Sequence, residues 1–221
     1  TRETLEKWEP IITATADFMA DYAHYDEAQD RYVLGPPVFI VSENTVPETT
    51  INPAFELGYW RYGLRMAAEW RKRLSLSVDA KWEDVLAKLA PLPVEDGLYV
   101  THEGIRNMWS DFAFEHPALI GTYGMLPGDG VDTEILARTL DKITSTWNFA
   151  VDFLLHPAGG FQFDEHGLAT GGPFPYLPSN GALLTAVAMM AAGWDGSTGE
   201  APGFPRDGSW VVKTEGFLPM P

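Results

Sequence analysis

The chain has 221 residues, no cysteine and a formal charge of −16, from 31 acidic against 15 basic side chains. Such a surface repels phosphate backbones and carries no long basic stripe, so nucleic acid is not an expected partner. The absent cysteines exclude a disulfide framework and a thiolate nucleophile, and no 18-residue apolar run offers a membrane span. Aromatic residues make up 13% of the chain, including eight tryptophans. In an acidic protein this balance suits neutral polyhydroxylated ligands, whose faces stack on rings and whose hydroxyls bind carboxylates.

In chain order, residues 3–24 read as a helix, with Leu5, Trp8, Ile11, Ile12, Phe18, Met19 and Tyr22 recurring at three and four. Pro10 falls inside this pattern and is expected to bend it or to mark its first turn. Residues 25–50 read as irregular, broken by Gly35-Pro36-Pro37 and the short β-like run Val38–Val41. A long helix is expected from Pro53 to Leu74, with Asn52 as its cap. Its apolar members Phe55, Tyr59, Tyr62, Leu64, Met66, Ala67, Trp70 and Leu74 exceed one narrow stripe, so it should be covered on both flanks.

Residues 79–90 predict a shorter helix opened by an Asp cap. "LPVEDGLYVT" predicts a hairpin or extended connector, and 109–129 a loop-rich section with one short helix. Residues 132–146 predict a helix capped by Asp132, and a small-residue helix is expected from Ser179 or Asn180 through Ala192. One strand is expected near Trp210–Lys213. Buried helices separated by long loops do not fit a compact bundle; they fit a helical toroid whose loops build a cleft. No glycine-rich nucleotide loop, Walker loop or H-E-x-x-H motif is present.

Several groups are candidates for chemistry. Glu43 follows an apolar run and precedes Asn44. It is either a solvated turn carboxylate or a carboxyl kept protonated by burial against Phe39, Ile40 and nearby rings, as a general acid must be. Asp164, Glu165 and His166 form a polar cluster in a glycine-flanked loop, able to offer a base to water or to hold hydroxyls. His102 is open to a hydroxyl contact or a structural hydrogen bond. Trp60 and Trp109 are open to sugar stacking, with core packing the competing role for Trp60. The charged residues along 56–73 read as ordinary surface pairs, such as Glu69 with Arg65 or Arg73, except Glu56, whose place near the helix start could face a cleft. The histidines have no metal-ligand spacing, so no metal site is expected.

The stretch "YVLGPPVFIVSENTVPETTINPAFELGYWRYGLRMAAEW" resembles the catalytic region of the six-hairpin, (α/α)6-barrel glycosidases, nearest in style to glycoside hydrolase families 95 and 65. "PPVFIVSEN" is similar to the family 95 motif P-S-x-S-P-E-N, which supplies the general acid and maps onto Glu43, with Asn44 beside it. "NPAFELGYW" stands where family 65 opens the helix after its acid. "GFQFDEHG" resembles F-Q-x-D-G-N-x-G-G, which implies Asp164 as the base, with Glu165 an equal rival.

The resemblance implies a mainly α fold: a partial (α/α)6 toroid with a short β-containing C-terminal tail. Residues 1–221 would form a single region of a catalytic domain, a fragment of a larger protein whose remainder would be its partner. It further implies hydrolysis of an oligosaccharide or glycoside by paired carboxylates, with Asn44, Trp60, His102, Trp109 and His166 as substrate contacts and no cofactor. A glycoside phosphorylase and a catalytically silent carbohydrate-binding fragment are the alternatives. Compartment, sugar and stereochemical outcome are not legible in the sequence.

Overall fold

A computed structural model describes residues 1–40, 45–113, 117–146, 162–163, 169–170, 177–194 and 196–216. The chain is mainly helical and divides into two compact units, Thr1–Trp147 and Asn148–Pro221.

The first unit is built on three helices: α1 (Arg2–Tyr22), α2 (Ala54–Arg73) and α3 (Ala80–Lys88). Thr1 caps α1 by accepting from the Thr4 amide, and the helix runs through Pro10. Helices α1 and α2 lie antiparallel, stitched at both ends by indoles. The Trp60 Nε1–H donates to the Met19 carbonyl at 2.9 Å and the Trp70 Nε1–H to the Leu5 carbonyl at 3.0 Å. Between them Gly63 opposes Met19, whose terminal methyl lies 2.7 Å from where a β-carbon would stand. A side chain at 63 would force the Met19 side chain to move aside.

Helix α3 opens at Asp79, which accepts from the Lys81 amide, and closes the group through a Trp82 Nε1–H bond to Asp17 at 2.9 Å. A short 3-10 helix (Ala118–Thr122) docks on α2 where Gly58 meets Thr122 and Leu126, and Gly121 meets Phe55. The expectation that α2 is covered on more than one side is met by α1, α3 and this 3-10 turn. Leu57, Leu64, Val85 and Leu119 are buried at the shared centre. Each leucine there stabilises the fold by about 1.5–3 kcal/mol through the apolar area it removes from water.

Two antiparallel hairpins complete the unit. Strands β1 (His24–Asp26) and β2 (Arg31–Val33) pair His24 with Val33, in a stretch that reads as irregular in the sequence. Strands β3 (Val94–Glu95) and β4 (Leu98–Tyr99) form the hairpin expected from "LPVEDGLYVT", turning at Asp96 and Gly97, both with positive φ. Helix α4 (Met108–Asp111) follows, then α5 (Thr133–Thr146), capped by Asp132, which accepts from the amides of Glu134 and Ile135. The buried Thr139 hydroxyl of α5 accepts from the Tyr99 amide, which fixes the second hairpin to this helix.

In the second unit, β5 (Gln162–Phe163) pairs with β6 (Ala169–Thr170), and α6 (Leu177–Ala192) ends at Gly193, whose φ of +95° suits a helix-terminating glycine. The Gly203 amide donates to the Met190 carbonyl, and the rings of Phe204 and Trp210 lie 5.2 Å apart. The strand expected near Trp210–Lys213 is not formed: this run has no paired neighbour. The β-like run expected at Val38 is likewise not a strand over Val38–Ile40.

Candidate functional site

The chain leaves β2 at Val33 and enters α2 at Ala54, and the loop between them is closed at its base. The Asn52 amide donates to the Leu34 carbonyl at 2.8 Å, and the Leu34 amide donates to Asn52 Oδ1 at 2.9 Å. Asn52 is fully buried with φ +49°, a left-handed conformation that asparagine tolerates better than most residues. Its Nδ2 donates to Glu103 Oε2 at 2.8 Å, while Arg31 donates to Glu103 Oε1 at 2.7 Å. Two backbone bonds bring the 101–103 segment alongside: the Ala54 amide donates to the Thr101 carbonyl, and the Glu103 amide to the Ile51 carbonyl. Helix α2 therefore receives no side-chain cap from Asn52. The expected cap is instead the clasp of the preceding loop.

Within the loop the two limbs are tied again. The Val38 amide donates to the Pro47 carbonyl, and both the amide and the hydroxyl of Thr50 bond the Val46 carbonyl. Gly35, at φ +71°, has no room for a β-carbon, which would meet the Thr50 carbonyl at 2.8 Å. A third grip comes from α1, whose Tyr22 hydroxyl donates to the Pro37 carbonyl at 2.7 Å. Loops anchored on a folded scaffold are where functional groups are commonly displayed.

Glu43 and Asn44 belong to this loop but lie outside the described residues, as do Asp164, Glu165 and His166. Of the residues expected to wall Glu43, Ile40 is buried and Phe39 is 79% exposed. Trp60 is half-buried against α1, its indole N–H committed to Met19 and its ring 5.5 Å from that of Tyr22. Through Tyr22 it is one step from the loop at Pro37. His102 is half-buried beside the loop base, 3.4 Å from the Thr101 hydroxyl, and burial lowers its pKa. The ring is thereby kept neutral near pH 7. Trp109, on α4, has the Lys142 ammonium 5.9 Å from its ring centroid.

Arg31, Asn52, Glu103 and Tyr22 carry the geometry, and sequence reading did not single them out as site residues. Burial alone would raise the Glu103 pKa, but the bonds from Arg31 and Asn52 and the Arg31 charge hold it below the ordinary value. Arg31 and Glu103 also line a cleft of about 580 Å³ together with Leu92, Val94, Glu95 and Val100. The arginines of α2, expected to form surface pairs, reach further. Arg65 bonds Asp129, Arg71 bonds Glu9, and the largely buried Arg61 donates to the Leu89 and Ala90 carbonyls. That last contact places a cation at the C-terminal end of α3, where it complements the helix dipole.

Among the described residues no three histidine, aspartate or glutamate side chains gather as a metal site, and no helix is long and apolar enough to cross a membrane. No family model matches the chain, and no curated protein matches it.

Proposed function

We propose that the chain is a glycoside hydrolase region of (α/α)6 type, in which Glu43 protonates the leaving oxygen and Asp164 or Glu165 serves as the second carboxylate. The observation that carries this reading is the triple fastening of the 35–51 loop, at Asn52, at Pro47 and at Pro37. General acid catalysis requires a donor held within hydrogen-bond reach of one oxygen, and a loop fixed at its base by a buried network limits the positional freedom of what it carries. The layered helices α1, α2 and α3, with long loops between elements, agree with a toroid built from helical hairpins. The polar half-buried groups near that loop, neutral His102 among them, suit contacts with uncharged hydroxyls.

In this mechanism the protonated Glu43 gives its proton to the glycosidic oxygen as the C–O bond breaks. The partner carboxylate either activates water or attacks the sugar carbon, according to the carboxylate separation. The substrate is an oligosaccharide or glycoside, and the reaction needs no cofactor. Hydrolysis of a panel of oligosaccharides and aryl glycosides, with Glu43→Gln beside the parent, tests it. Turnover by the parent, with at least a hundredfold loss in a folded Glu43→Gln variant, is expected from the usual contribution of a general acid. Turnover unchanged by the substitution, or none by the parent, would overturn the assignment.

A further inference from the structure

The end of α1 and the start of α2 share a row of aromatic rings that the core does not use up. Phe18 is 60% exposed, its ring 5.9 Å from that of Tyr22, which stands 5.5 Å from Trp60. The Trp60 N–H, tied to the Met19 carbonyl, sets the indole against Tyr22. Glu56, Tyr59 and Trp60 lie on one face of α2, at helical spacing of three and four. Tyr59 is 49% exposed. The Tyr22 phenol is pushed up first by burial and then by the charge of Glu56. Tyr22 also grips the catalytic-loop candidate at Pro37.

The geometry points to a carbohydrate-binding platform made of Phe18, Tyr22 and Trp60 with Glu56 beside it, taking a single chain of a neutral, soluble oligosaccharide. This rests on the glycosidase reading for its relation to Glu43, though not for its binding. A large exposed ring beside further aromatics is a feature that surfaces keep for recognition. Rings take the C–H faces of a pyranose, and a carboxylate takes its hydroxyls. Because successive ring planes tilt by 36° and 48°, the row is stepped and not flat. A stepped row follows one flexible chain and cannot lie on the plane of an insoluble polymer.

The test uses the full chain in its Glu43→Gln form, which holds a sugar without cleaving it. The probes are an immobilised array of neutral plant, microbial and animal oligosaccharides, and insoluble cellulose as a flat surface. Binding to at least one soluble oligosaccharide is expected, with intrinsic tryptophan fluorescence shifting on titration and no retention on cellulose. Phe18→Ala, an exposed position that should leave the fold intact, is expected to raise Kd about fivefold, the scale of one ring contact. Glu56→Gln should weaken binding less, and Trp8→Phe, ten residues before Phe18 on α1, should not change it. Unchanged affinity in Phe18→Ala, no binding across the array, or retention on cellulose would each overturn the proposal. Binding that depends on Phe18 in a parent chain without turnover would leave the platform standing and remove the glycosidase reading. Turnover of long substrates lost in Glu43→Gln but indifferent to Phe18 would do the reverse.

Discussion

Two of the three grips on the 35–51 loop are of opposite character. At its base the contacts are polar and buried: Asn52 is inaccessible and bonded to Leu34 and Glu103, and Arg31 donates to the other Glu103 oxygen. At Pro37 the contact is one hydroxyl from Tyr22, set in a half-exposed row of rings. A buried polar clasp is sensitive to any single loss, since each orphaned donor or acceptor costs its full desolvation. An aromatic edge beside solvent tolerates change, because water replaces what is removed. The loop therefore has a rigid root and a permissive flank.

The sharpest way to break this contrast is at Asn52. Asn52→Ala should destabilise the fold by about 2–4 kcal/mol, because it strands the Leu34 amide and one Glu103 oxygen and puts a β-carbon residue at positive φ without asparagine's tolerance. Asn52→Gly should recover about 1 kcal/mol of that by relieving only the backbone. The difference in urea midpoint between the two separates clasp from strain. Equal stability of Asn52→Ala and the parent would remove the root from the account.

The acid limb of stability gives an intermediate effect. The Glu103 pKa is lowered from its ordinary value of 4.5, so its contribution is complete above that value and is lost as pH falls through the folded one. Buried His102 is also lowered, from 6.5; below that pH the unfolded chain takes up a proton that the folded chain refuses, and stability declines further. Urea midpoints should therefore fall in two stages on acidification, and Glu103→Gln should flatten the lower stage while leaving the upper one. A single stage in the parent, or an unchanged lower stage in the variant, would contradict the network.

The smallest effect belongs to the flank. Tyr22→Phe keeps the ring and deletes one hydroxyl bond, so about 0.5–1.5 kcal/mol of stability should be lost. A loss as large as that of Asn52→Ala would abolish the distinction between the two grips.

The helices were legible because their signals are local. Apolar spacing of three and four predicts α1, α2 and α5 to within about two residues at most ends, and Asp79 and Asp132 cap as read. Asn52 was misread for the same reason. It stands where a cap belongs, but its partners Leu34 and Glu103 lie 18 and 51 positions away, and no local pattern reports a bond of that span. Arg65 likewise bypasses Glu69 for Asp129, 64 positions on. The β1–β2 hairpin escaped because three-residue strands give too short an alternation to recognise. Its turn does carry a signal: Asp26 accepts from the Ala28 amide, and Asp30 has positive φ. At Trp210–Lys213 the error ran the other way, since an apolar run makes a strand only when a partner pairs with it.

The central claim is that this fastened loop presents a proton donor, and leaving-group dependence tests it most directly. Pre-steady-state rates of leaving-group release by a folded Glu43→Ala variant are to be compared with the parent on a dinitrophenyl glycoside, whose leaving group departs without protonation, and on the matching oligosaccharide, whose leaving group requires it. A general acid predicts near-parental bond cleavage on the first substrate and a loss of at least a hundredfold on the second. Equal losses on both substrates, or no loss on the oligosaccharide, would show that Glu43 is not the donor.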